Sequence, residues 1–345
     1  MSQKPRAVIV DDSIVSRKVI RKILEGLGFR VVGEAGNGVD AIMKAETLKP
    51  DLMVLDIMMP KMDGLSALAT IMEKAPTKVI LVSAYGNEFF DMAFTGLEKG
   101  AFAFVAKAPS GETSAEFERE LRDKAKASLH ASRASYVMSN VPLKPRKMPR
   151  MPSSNLSRHL LIIGASTGGP GVVKDVLTRL RPPFPPVIIV QHLPVGFTRT
   201  FAERMNAVSQ LEIKEAESGM VLTTNTVFVA PGGKHLVLQD AGASMEIYLY
   251  EGDRVNGVMP SLDPTILSAT YHYGQNLKVC ILSGMGSDGL AGARYLKSNG
   301  GEVFAQDEET CVIYGMPKAV IDEGLADVVG TPVRLASALN QRYGG

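Results

Sequence analysis

The chain has two cysteines, Cys280 and Cys311, each within an apolar run or beside one. Two thiols without ligand-type spacing exclude a disulfide framework and a cysteine metal site, and they suit a reducing compartment. Excess charge of either sign is also lacking. A formal net charge of +2 over 345 residues gives no electrostatic reason for a nucleic-acid or anionic-membrane surface. No apolar stretch is long enough to cross a bilayer, and the opening Met-Ser-Gln-Lys-Pro-Arg has no signal-peptide core. The expectation is a cytoplasmic protein, not membrane-inserted and with no nucleic-acid partner. Core-forming residues are plentiful: at 45% apolar and 21% charged, the length allows two domains with full interiors.

One stretch stands out. Residues 160–171, Leu-Leu-Ile-Ile-Gly-Ala-Ser-Thr-Gly-Gly-Pro-Gly, run from an apolar segment into a small-residue turn centred on Ser166. Gly164-Ala-Ser166-Thr-Gly168 fits the Gly-x-Ser-x-Gly nucleophile elbow, in which a sharp strand-to-helix turn lifts the serine clear of the sheet. A glycine-rich loop cradling a phosphate at a helix N-terminus reads the same way. The remaining chain has to separate the two.

Residues 1–130 alternate short apolar runs with amphipathic ones. Strands are expected at 7–10, 30–34, 52–55, 79–82 and 102–105. The last helix should open at Thr113-Ser-Ala-Glu116, a capping-box pattern, with Phe117, Leu121, Ala125 and Leu129 on one face. Five such alternations imply a parallel sheet covered on both faces, with ligands at the carboxyl ends of the strands. Acids stand at those ends: Asp11 and Asp12 after the first strand, Asp56 closing the wholly apolar third. Helix capping accounts for Asp12 or Ser13 but not for Asp56. Three clustered carboxylates repel one another unless a cation sits among them, and an oxygen-only set suits Mg²⁺. Ser83 and Lys107, after strands four and five, are placed to stabilise a phosphoryl group on Asp56.

Residues 131–158 contain no acid, six basic side chains other than histidine, and prolines at 142, 145, 149 and 152. An extended, semi-flexible linker is expected. From 159 to 345 the alternation resumes, with strands expected at 160–163, 187–190, 227–229, 279–282 and 301–305 and an antiparallel addition from 236–238 and 246–250. Three of these strands end in polar chemistry at Ser166, at Gln191-His192, and at Ser283-Gly-Met-Gly-Ser-Asp288-Gly289. In a doubly wound sheet such loops meet on one crest. A serine needs a base, and His192 directly follows a buried-type strand, with His235 after Ala230-Pro-Gly-Gly233 as its competitor. His130, His159 and His272 are less well placed. An acid must hold the imidazole, for which Asp288 is placed best and Asp253, Asp263 and Asp307 less so. The Met285 and Thr167 amides are the candidate oxyanion donors.

Residues 6–130 resemble the receiver domain of two-component response regulators, through Asp11-Asp12, Asp56-Ile-Met-Met-Pro60, Asp63-Gly64, Ser83-Ala84 and Lys107. The resemblance implies a flavodoxin-like (βα)5 fold and Asp56 as phosphoacceptor for a histidine kinase. It also implies Mg²⁺ held by Asp12, Asp56 and the Met58 carbonyl beside Asp11, phosphoryl contacts from Ser83 and Lys107, and Phe104 as the switch aromatic. One departure is Lys107-Ala108-Pro109, where the family usually has Lys-Pro. Residues 160–330 resemble the catalytic domain of the chemotaxis protein-glutamate methylesterases and glutamine deamidases. The likeness runs through Gly164–Pro170, Gln191-His192, Ala230–Gly233 with His235, Gly284–Gly289 and Thr310–Pro317. It implies the triad Ser166, His192 and Asp288, the Met285 amide in the oxyanion hole, and support from Thr167. No cofactor is implied at the esterase site. Its implied substrates are glutamate γ-methyl esters and glutamines of membrane chemoreceptors, with phosphorylation relieving inhibition by the receiver. Met259 stands where many members carry arginine.

Two other classes remain at this level. A nucleotide-binding module on residues 164–171 would not need His192 and Asp288 at neighbouring strand ends, and no Walker lysine-serine pair follows the glycines. A DNA-binding regulator would need a helix-turn-helix output in place of alternating strands and helices.

Overall fold

The computed structural model describes residues 4–84, 89–107, 114–131, 156–242 and 244–343. Two compact units divide the chain, Met1–Met138 and Ser139–Gly345. The Ala108-Pro109 departure and nearly all of the expected linker lie outside the described residues. Leu156–Arg158, at the end of that linker, forms a single 3-10 turn.

In the first unit β1 (Arg6–Val10), β2 (Arg30–Ala35), β3 (Leu52–Asp56), β4 (Lys78–Ala84) and β5 (Ala103–Lys107) alternate with α1 (Ile14–Gly26), α2 (Gly38–Leu48), α3 (Gly64–Lys74), α4 (Phe89–Glu98) and α5 (Ala115–His130). The strands form one parallel sheet in the order β2-β1-β3-β4-β5, the flavodoxin-like arrangement. Strand order reverses between β1 and β3, so Asp11 and Asp56 emerge at the switch point. Every residue of β3 is buried, as its unbroken apolar run requires between two helical layers. The turns that lead into the helices are capped by their own sequence: Ser13, Asn37, Asp63 and Ser114 each accept a bond from a first-turn amide.

One expectation needs correcting. The cap of α5 is Ser114, one residue after the expected Thr113, and Leu129 is 43% exposed while Ala127 and Ser128 are buried. At 3.6 residues per turn, three steps of four residues rotate Leu129 by roughly 120° from Phe117, off the buried face.

In the second unit the elements run β6 (Leu160–Ala165), α6 (Gly169–Leu177), β7 (Val187–Gln191), α7 (Phe197–Val208), β8 (Glu212–Glu215), β9 (Thr226–Val229), β10 (His235–Asp240), β11 (Met245–Tyr250), α8 (Leu262–Tyr273), β12 (Leu277–Ile281), α9 (Leu290–Ser298), β13 (Glu302–Gln306), α10 (Met316–Asp322), β14 (Val328–Gly330) and α11 (Pro332–Tyr343). Seven strands pair in parallel in the order β14-β13-β12-β6-β7-β9-β8, and β10 and β11 form a separate antiparallel pair. The edge strands β8 and β14 were not expected. Glu-Ile-Lys-Glu has one apolar residue and Val-Val-Gly is three residues long, too little for a periodic signal, as befits edges.

The chain leaves β6 toward β7 on one side and returns to β12 on the other, which puts the switch point between β6 and β12. Leu160, Ile162, Val279 and Ile281 face a common core with Leu262 and Ile266 of α8. Gly164 lets α8 lie against β6, since a Cβ there would sit 2.1 Å from Leu262 Cδ2. Among the described residues no helix is long and apolar enough to cross a membrane.

Candidate active site

Ser166 leaves β6 at the switch point, 8% exposed. Its backbone is fixed from both sides. The Ser166 amide donates to Ser283 O at 2.9 Å, while its carbonyl accepts from Gly169 N and Gln191 Nε2, each at 2.8 Å. The turn depends on glycine. Gly168 has φ +76°, and a Cβ there would lie 2.4 Å from Val312 Cβ. On the facing loop, a Cβ on Gly284 would come within 2.8 Å of Ser166 Cβ. The β12 loop therefore passes directly against the serine.

His192 continues β7, its amide donating to Ala165 O at 3.0 Å. Its Nε2 lies 2.8 Å from Asp288 Oδ2. A carboxylate accepts only, so the proton sits on Nε2 and the Nδ1 lone pair is left as the proton acceptor. Asp288 also accepts from Ser261 Oγ at 2.6 Å, Leu262 N at 2.7 Å and Asn256 Nδ2 at 2.7 Å. Burial by itself would raise its pKa. The hydrogen bond and charge of His192, with those from Leu262 and Ser261, outweigh that and hold the carboxyl down at about 2. Asp288 is thus an ionised acceptor.

His235, Asp263 and Asp307 have partners of their own. His235 is fully buried; its Nδ1 accepts from Ser261 N at 3.2 Å and its Nε2 lies 3.0 Å from Asp253 O. Both ring nitrogens are committed to the backbone, a structural role that supports the Ser261 loop. Asp307 binds Thr310 of its own turn, and Asp263 binds Gly292 N at 2.7 Å. His159 precedes β6 at the end away from Ser166, and His272 packs on the neighbouring Tyr271. Thr167 O accepts from Ser283 Oγ at 2.9 Å, and Gly284 O accepts from Gly315 N and Met316 N, which pins both loops around Ser166. Among the described residues the Met285 amide has no backbone acceptor. Met259, half-buried, offers its carbonyl to Gly233 N at 3.2 Å. Gln191 carries a sequence signal through its place beside His192 at a strand end, whereas Ser261 and Asn256 are contributors that the sequence does not mark, apart from the Asn-Gly turn dipeptide at 256–257.

In the first unit Asp11, Asp12 and Asp56 bring ligand oxygens within 4.8 Å of one another. Asp11 is buried, accepting from Ser16 Oγ and Lys107 Nζ, each at 2.6 Å. Lys107 Nζ also donates to Asp56 Oδ2, and Asp56 Oδ1 accepts from Met58 N at 3.1 Å. Burial lifts the Asp56 pKa above the ordinary carboxylate range, against the lowering effect of Lys107, while the carboxylates keep Lys107 charged against its own burial. The Lys107 ammonium bridges Asp11 and Asp56, and Asp12 brings a third carboxylate to the cluster, so negative charge is left over. An all-oxygen set with that deficit fits Mg²⁺. Ser83 is buried near the end of β4, and Phe104 in β5 is buried with its ring centroid 6.4 Å from that of Phe94.

Comparison with known proteins agrees with both halves. The CheB methylesterase family pattern matches residues 161–339, and the response regulator receiver domain matches residues 7–114. A protein-glutamate methylesterase/protein-glutamine glutaminase of Thermotoga maritima is 39% identical over 94% of this chain and 94% of its own length. A relative of the same description from Methanosarcina acetivorans is 40% identical, again over 94% of each. The solved catalytic domain of the Thermotoga maritima CheB methylesterase superposes with a TM-score of 0.53 at 39% identity, covering 53% of this chain and 98% of that one. With its second unit matched over 161–339 and relatives spanning nearly its full length, the chain belongs to the CheB methylesterase family and carries that family's output behind a response regulator receiver domain.

Proposed function

We propose that the second unit hydrolyses glutamate γ-methyl esters of membrane chemoreceptors, and deamidates glutamines, with Ser166 as nucleophile, His192 as base and Asp288 as its orienting acid. His192 Nδ1 takes the Ser166 hydroxyl proton as Oγ attacks the γ-carbonyl carbon. The amides of Met285 and Thr167 stabilise the tetrahedral oxyanion, and Asp288 stabilises the imidazolium. The imidazolium returns the proton to the departing methoxide, or to the amine of a glutamine, releasing methanol or ammonia. Water, deprotonated by the same imidazole, then cleaves the glutamyl ester and leaves a glutamate. The observation that carries this reading is the His192–Asp288 pair at 2.8 Å, at the sheet switch point that also presents Ser166. Ser166→Ala should abolish methanol release; unchanged turnover would remove the nucleophile assignment.

The first unit is proposed to control this activity. Asp56 accepts a phosphoryl group from a histidine kinase, with Asp11, Asp12, Asp56 and the Met58 carbonyl holding Mg²⁺. When bound, the ion supplies positive charge for the phosphoryl oxygens. Lys107, whose ammonium already bridges Asp11 and Asp56, and Ser83 stabilise the phosphorylated state, with Phe104 as the aromatic that responds. Phosphorylation then shifts a two-state equilibrium toward a form in which receptor reaches Ser166.

A further inference from the structure

Ser261 precedes α8, yet its hydroxyl does not cap its own helix. It donates to Asp288, and the Asp288 carboxylate takes over the cap, accepting from Leu262 N at 2.7 Å and, more weakly, from Asp263 N at 3.4 Å. The converse holds at α9. Asp288 precedes that helix, whose N-terminal amide of Gly292 is capped at 2.7 Å by Asp263 of α8. The two helices thus exchange caps, and two mostly buried carboxylates face each other. Repulsion from Asp288 and, above all, burial raise the Asp263 pKa. One group spans the pair: Asn256 Nδ2 donates to Asp263 Oδ2 at 2.8 Å and to Asp288 Oδ1 at 2.7 Å. With both amide hydrogens used, this is a complete bridge.

Asn256 is held for the purpose by a two-residue turn. Val255 and Val258 form an antiparallel bridge, and Asn256 and Gly257 both take left-handed φ, +55° and +77°. That is the geometry Asn-Gly favours. The residue is exposed, so its side chain adds little to the core. We infer that Asn256 is a positioning residue for the catalytic acid, holding Asp288 at the rotamer in which Oδ2 meets His192 and offsetting the repulsion from Asp263. The inference rests on the triad reading above.

The test compares Asn256→Gly and Asn256→Asp with wild type and with Asp288→Asn, in the full-length protein. Glycine keeps the left-handed turn and deletes the amide; aspartate keeps the shape and puts a third carboxylate against the pair. Both should lower kcat for methyl-ester hydrolysis by roughly 10–100-fold, the worth of a hydrogen bond to a charged group, with KM nearly unchanged. Both should also shift the downfield proton resonance of the His192 Nε2–H, which a role in the fold alone would leave in place. Asn256→Gly with wild-type kcat and an unmoved resonance, while Asp288→Asn is strongly impaired, overturns the inference and leaves the triad standing. Near-normal activity of Asp288→Asn overturns the triad reading itself.

Discussion

Asp288 carries the most consequence per atom in the second unit. If it orients His192, Asp288→Asn should lower kcat by up to ~10⁴, the loss seen when a serine-protease triad acid is replaced in the same way; a near-normal rate would point to a different acid. The same residue predicts a pH dependence. Its folded pKa, about 2, lies below the ordinary value of 3.8, so the stabilisation is fully present above pH 3.8 and is lost as pH falls toward 2. The shift corresponds to roughly 2 kcal/mol. Denaturant unfolding of wild type and Asp288→Asn should therefore show a stability gap that narrows between about pH 4 and pH 2; a constant gap would contradict it. As candidates for the proposed triad, Ser166, His192 and Asp288 were readable in the sequence because each stands just after an apolar strand or in the loop that follows one. Asn256 and Ser261 were not, because their segment has no hydrophobic period and its contact with the β12 loop arises only from the packing of α8 against α9. His235 looked like a base from its position after a glycine turn. Only the folded chain shows both its nitrogens engaged by backbone.

At the scale of elements, the site depends on close approach between the β6 and β12 loops. Adding a methyl group at Gly284 would place it 2.4 Å from Met316 Sδ and 2.8 Å from Ser166 Cβ. If Ser166 is the nucleophile, Gly284→Ala should cut kcat at least ~10-fold by displacing it, since small misplacements at reacting centres are costly. Gly219→Ala is the control: φ is +85° but nothing lies within 4 Å, so it should lose about 1–2 kcal/mol of stability and no activity. Equal kinetic effects of the two would argue against a special role for the Gly284 contact. The central strands of both sheets were readable because they are continuous apolar runs of four or more residues. The edges β8 and β14 and the face of α5 near Leu129 were not, since half-exposed positions are decided by which neighbours happen to cover them.

On the proposed reading the whole chain couples two chemistries, phosphoryl acceptance at Asp56 and acyl transfer at Ser166. If Asp11, Asp12 and Asp56 hold Mg²⁺, the unfolding temperature of the first unit should rise with the logarithm of Mg²⁺ concentration once that exceeds the Kd, by mass action. Asp12→Asn should weaken that shift, and an equal response in the variant would remove Asp12 from the ligand set. Both domain types were legible in the sequence, because each rests on strand-end residues whose spacing survives without knowledge of packing. How the proposed phosphorylation of Asp56 would act on Ser166 was not, since that depends on the arrangement of the units. The decisive measurement is methanol release from methylated receptor membranes, with and without acetyl phosphate and Mg²⁺, for wild type, Ser166→Ala and Asp56→Asn. Wild type should release methanol faster with phosphodonor, Asp56→Asn should not respond, and Ser166→Ala should release none under either condition. Turnover by Ser166→Ala at the wild-type rate would contradict the assignment of the esterase site to this serine.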